Sequence, residues 1–116
     1  PLTTSEYNEW GDPREESVYK RIKAYSPFDN ITAQAYPPIL AISGLNDYRV
    51  TFWEPTKWVA KLREHSTSAH PILLKTHMDS GHGGASGRYE QLGEDAWELT
   101  FAVASINGFS SHLGSN

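Results

Sequence analysis

Two short apolar runs, Ile39-Leu40-Ala41-Ile42 and Ile72-Leu73-Leu74, stand out from a mostly polar chain, each with proline before it and glycine further on. Apolar runs of this length without alternation read as strands buried on both faces, which is the pattern of a parallel sheet. The second strand is expected to span Pro71 to Met78. Between the runs, Glu54 to Arg63 brings Trp58, Val59 and Leu62 onto one helical face, and Pro55 suits a first turn. Strand, helix and strand then make one right-handed crossover unit.

On the N-terminal side, Asp12-Pro13-Arg14-Glu15 offers an N-cap, a proline at the first helical position and a glutamate at the third. Val18, Ile22 and Tyr25 share a face of the helix this begins, and Ser26-Pro27 stops it because a residue before proline avoids the α region. Residues 1–12 show no period and are expected to be an acidic loop. Residues 28–38 are a second loop. The final helix is expected from Ser86 or Gly87 to about Asn107-Gly108, with Tyr89, Leu92, Ala96, Leu99, Val103 and Ile106 three and four apart. Its last turns are apolar nearly all round and so are expected to be buried. The organisation this gives is one unit over residues 1–108 and a flexible Ser/Gly-rich tail over 109–116.

Two strands do not complete a parallel sheet, whose interior strands need neighbours on both edges and cover on both faces. The class is therefore α/β with an incomplete sheet, and an open sheet edge predicts self-association into an oligomer. The 116 residues and the opening on Pro1 suggest a stretch cut from a longer sequence. The absence of cysteine excludes disulfides and thiolate metal sites and fits a cytoplasmic enzyme. A net charge of −4 with mixed signs gives no footprint for nucleic acid. No stretch approaches the roughly 18 apolar residues of a membrane span.

Polar residues just beyond such strands line the crevice where α/β proteins bind ligands. Asp47 follows the first run and His82 the second, the order in which an α/β enzyme carries the last two members of a Ser-His-Asp triad. The nucleophile would precede them in a Gly-x-Ser-x-Gly turn, and the sequence contains none. Asp47 would accept the Nδ1 proton of His82 and stabilise the imidazolium. Equally, Asn46-Asp47 could be a solvated turn, and His82, among Gly81, Gly83 and Gly84, an incidental histidine or part of an anion-binding nest. His77 and His82 lack helical ligand spacing, so zinc is not expected. Arg49, two residues after Asp47, would emerge on the same side if the loop were extended; it could grip a substrate carbonyl or simply make a surface ion pair. Glu6 is either one more charge of an acidic loop or the carboxylate of a pocket for a cationic side chain.

The segments Pro1-Leu2-Thr3-Thr4, Glu9-Trp10-Gly11-Asp12-Pro13, Tyr25-Ser26-Pro27-Phe28-Asp29-Asn30, Gly44-Leu45-Asn46-Asp47 with Arg49-Val50, and Trp53-Glu54-Pro55 to Leu62-Arg63 resemble the catalytic domain of the prolyl oligopeptidase family of serine peptidases. The resemblance covers about residues 1–106. It implies the C-terminal part of an α/β-hydrolase domain, cleaving short peptides after Arg or Lys with no cofactor. It implies further that an upstream segment supplies the nucleophilic serine, that Asp47 and His82 are the triad acid and base, that Arg49 holds the substrate backbone and that Glu6 receives the basic side chain. Asn8 stands where the basic-specific branch of the family carries a second acid, and Tyr48 where a proline is usual. A non-catalytic truncated module, binding a partner through its exposed sheet edge, is the alternative.

Overall fold

The computed structural model describes residues 3–81 and 87–108. A 3-10 turn over Thr3–Glu6 leads into a one-turn helix α1 (Tyr7–Trp10), followed by α2 (Glu16–Tyr25), β1 (Ile39–Gly44), α3 (Trp53–His65), β2 (Ile72–His77) and α4 (Arg88–Asn107). β1 and β2 pair in parallel from Ile39 opposite Ile72 to Gly44 opposite His77, as their apolar patterns predict. Among the described residues these are the two strands of the sheet. The expected tail, residues 109–116, lies outside the described residues.

One face of the sheet is well covered. Val59 and Leu62 of α3 are 2% exposed and pack with Ile31 and Ile72, flanked by Ile39, Ala41 and Leu74 from alternate strand positions. Burying a side chain of this size contributes about 1.5–3 kcal/mol. Arg63 Nε donates to Ile72 O at 2.8 Å and fixes the end of α3 to the start of β2. Pro55 stands in the first turn of α3, where a missing N–H breaks no helical bond.

The opposite face meets α4 through Lys75, whose Nζ lies 5.3 Å from the Trp97 ring, and through His77, beside Glu94. The expected burial of the last helix does not occur: Leu99 is 66% exposed, Tyr89 86% and Ile106 85%. Its apolar residues spread around the whole circumference, and the described part of the chain offers the sheet on one side alone. Ile42 and Leu73 on the strands are partly exposed for the same reason. The radius of gyration is 17.5 Å, against the roughly 13–14 Å of a compact domain of this length.

The N-terminal expectations need two corrections. Residues 1–12 are not a loop throughout, since the 3-10 turn and α1 occupy Thr3 to Trp10. Nor does Asp12 cap α2, which begins at Glu16 with Glu15 at its N-cap. Both carboxylate oxygens of Asp12 are taken by Arg14, at 2.6–3.0 Å, so none is left for a helix N–H. Between the two helices Gly11 adopts φ +94°, and a Cβ there would stand 2.8 Å from Val18 Cγ1. That close approach buries Val18, while Arg21 Nη2 donates to Trp10 O at 2.9 Å. α2 ends where the proline rule places it: Ser26 turns to ψ 120°, and Asn30 Nδ2 donates to the carbonyls of Lys23 and Ser26.

Candidate active site

Both strands end at a cleft of about 320 Å³ whose walls include Gly44, Asp47, His77, Ser80, Gly81 and Glu94. A crevice at the carboxyl ends of parallel strands follows from topology, because the connections that leave the sheet there diverge to opposite faces. Asp47 is half-buried on the wall formed by the loop after β1. Its N–H donates to Gly44 O at 3.3 Å, and its Oδ1 accepts from the N–H groups of Arg49 (2.8 Å) and Val50 (2.9 Å). The side chain thus organises its own loop in an Asx-type turn that fixes one carboxylate oxygen.

That turn changes the reading of Arg49. Residues 48–50 bend rather than extend, so strand alternation does not give Asp47 and Arg49 a shared direction. Arg49 is exposed, with its guanidinium carbon 5.9 Å from the Tyr48 ring centre. Glu6 closes the 3-10 turn and is exposed. Neither is among the walls of the cleft, so the described part of the site contains Asp47 but not these two. His82 lies outside the described residues; the residue before it, Gly81, borders the cleft together with Asp47.

The loop after β1 and the segment after β2 are joined closely. Leu45 N–H donates to His77 O at 2.8 Å, Asn46 N–H to Ser80 O at 3.3 Å, and Asn46 Nδ2 to Met78 O at 3.4 Å. Gly44 makes this possible, since a Cβ there would fall 2.6 Å from Ser80 O and 2.8 Å from Gly81 O. Both neighbours are backbone atoms and cannot swing aside. Glycine is therefore required by the approach of the two connections, and the segment that leads to His82 is seated directly on the loop that holds Asp47.

The other wall carries a pair that no sequence pattern announces, His77 and Glu94. His77 Nδ1 lies 3.0 Å from Glu94 Oε1, and both side chains are largely buried. They lie seventeen positions apart with no motif to connect them, and only the placing of α4 on β2 brings them together. Among the described residues, no group of three or more His, Asp or Glu side chains is arranged to hold a metal ion, and no helix is long and apolar enough to cross a membrane. Hydrogen bonds from Arg14 hold the Asp12 carboxyl below its ordinary range, and the same contact raises Arg14.

A parallel strand–helix–strand unit with an acidic residue at the cleft after the first strand is what a segment of an α/β hydrolase presents. The chain belongs to the prolyl oligopeptidase family, whose sequence model matches residues 1–108. It is 48% identical over 103 residues, 89% of its length, to dipeptidyl aminopeptidase BI of Pseudoxanthomonas mexicana and to protease 2 of Moraxella lacunata. Oligopeptidase B from Leishmania major superimposes on 92% of the chain with a TM-score of 0.89 and 47% identity. The Trypanosoma brucei oligopeptidase B with covalently bound antipain gives 0.87 and 46% over the same share. The chain spans 14–15% of the length of these relatives. The α/β-hydrolase class and the resemblance to a peptidase of the oligopeptidase B type, both expected from the sequence, thus hold.

Proposed function

We propose that this chain is the segment of a serine oligopeptidase that supplies two members of a Ser-His-Asp triad, Asp47 as the acid and His82 as the base. An upstream segment of the catalytic domain supplies the serine and the neighbouring strands. The observation that carries this reading is the seating of Ser80 and Gly81 against Gly44 and Asn46, one residue from His82 on one side and one residue from Asp47 on the other.

In this mechanism His82 takes the serine proton as the hydroxyl attacks the peptide carbonyl, then returns it to the leaving amine; water completes the cycle by the same route. Asp47 holds the imidazole in one tautomer and offsets its positive charge. The Asx-type turn serves that role by leaving Oδ1 to the backbone and fixing the direction of the carboxylate. Substrates are short peptides cleaved after Arg or Lys, with Glu6 receiving the cationic side chain and Arg49 holding a backbone carbonyl, in the cytoplasm and with no cofactor. The unit is residues 1–108, with 109–116 as a tail.

The test is an enzyme in which this chain replaces the matching segment of the Moraxella lacunata protease. Hydrolysis of an Arg-containing peptide, its block by antipain and its loss in His82→Ala are expected. Full activity in His82→Ala rejects that residue as the base. Glu6→Gln is expected to lower hydrolysis of basic substrates selectively, and an equal loss on neutral peptides rejects the pocket assignment.

The exposed strand edges and the uncovered face of α4 also favour a second reading, a non-catalytic module that binds a partner through the open edge. The two readings separate on the ring of His82: a triad requires it within hydrogen-bond reach of Asp47, and a binding module does not.

A further inference from the structure

Hydrophobic packing does little to register α4 on the sheet, because most of its apolar residues are exposed. Two contacts on matched periodicities do this instead. Lys75 and His77, two apart on β2, project from one face; Glu94 and Trp97, three apart on α4, share the face that meets it. Of these contacts the His77–Glu94 pair lies at the cleft, with side chains 17% and 14% exposed. At the same cleft, His77 Nε2 and Ser80 Oγ are buried with no hydrogen-bond partner among the described residues. Unpartnered polar atoms are costly, and native structures keep them where geometry serves a purpose.

We propose that His77 and Glu94 are a positioning pair that holds the first turns of α4 against the end of β2. The pair thereby fixes the two anchor points, residues 78–81 and Gly87, between which the sequence places His82. The inference rests on the reading of His82 as the base. A partly buried polar pair suits this task because its strength depends on geometry, so it specifies one arrangement while adding little net stability. Its partner contact at Lys75 and Trp97 lies further along the helix and prevents α4 from pivoting. On the other side, the bonds from Leu45 and Asn46 to residues 77–80 tie the same segment to the Asp47 loop. The backbone entering the His82 stretch is thus held from both walls of the cleft.

The experiment compares Glu94→Ala, Glu94→Gln, His77→Leu and the double variant Glu94→Ala/His77→Leu, in the 116-residue chain and in the enzyme that carries it in place of the Moraxella segment. Amide hydrogen exchange is read at residues 78–81 and 87–93, and kcat and KM on an Arg-containing peptide. Glu94→Ala and His77→Leu are expected to speed exchange there and to lower kcat by about ten- to hundredfold with KM unchanged. Glu94→Gln, which keeps an oxygen facing Nδ1, retains most of both, and the double variant is no worse than the worse single one. Unchanged exchange or unchanged kcat in Glu94→Ala, or losses that multiply in the double variant, overturns the proposal. If the folded enzyme hydrolyses nothing or His82→Ala proves fully active, the base assignment fails, and the exchange data alone decide whether the clamp exists.

Discussion

At the scale of single residues, the decisive position beside the proposed acid is a glycine. Gly44→Ala forces a methyl group against two backbone oxygens at 2.6 and 2.8 Å, so the segment after β2 must move away from the Asp47 loop. The expected cost is about 1–3 kcal/mol of stability, together with loss of the Asn46 N–H bond to Ser80 O. Chemical denaturation with an amide shift at Asn46 measures both, and unchanged values for the two reject the close approach. A different residue reports on electrostatics. Hydrogen bonds from Arg14 hold the Asp12 carboxyl below its ordinary 3.8, so its contribution to the folded state is present above that value and is lost as pH falls through the lower, folded one. An NMR titration is expected to give a midpoint below 3.8 that rises in Arg14→Ala; the same midpoint in both proteins contradicts the pairing. Asp47 was legible at this scale because a polar residue after an apolar run in a parallel sheet falls at the crevice. His77–Glu94 was not, since a pair made by packing leaves no local signature.

At the scale of elements, the strands were legible to within a residue or two, because an apolar run between Pro and Gly has few other uses. The crossover helix was legible through Trp58, Val59 and Leu62. Leu62→Ala removes a side chain that is 2% exposed at the centre of that packing and is expected to cost about 2–5 kcal/mol by chemical denaturation. A cost under 1 kcal/mol contradicts the assignment of the core. The start of α2 was misread because the sequence offers Asp12 as a cap without revealing that Arg14 engages it first. The burial of α4 was misread for a different reason. Periodicity identifies an apolar surface but says nothing of what covers it, and here the described sheet covers part of one side.

At the scale of the molecule, the exposed strand edges and the apolar residues of α4 carry the main physical consequence. Monomeric soluble proteins rarely leave large contiguous apolar patches exposed. The 116-residue protein is expected to self-associate as concentration rises, measured by sedimentation equilibrium. A monodisperse monomer that unfolds cooperatively contradicts this and shows that the exposed surfaces are tolerated. The same surfaces are where neighbouring strands and helices of the larger relatives would dock under the proposed function, so joining the chain to them is expected to suppress the association.

The most direct measurement is hydrolysis of an Arg-containing chromogenic peptide by this chain alone, by the upstream catalytic segment of the Moraxella lacunata protease alone, and by the two joined. The triad account predicts no turnover by either part and turnover by the joined protein that disappears in Asp47→Ala and in His82→Ala. A joined protein that is folded yet inactive, or one that stays fully active without Asp47 and His82, contradicts it.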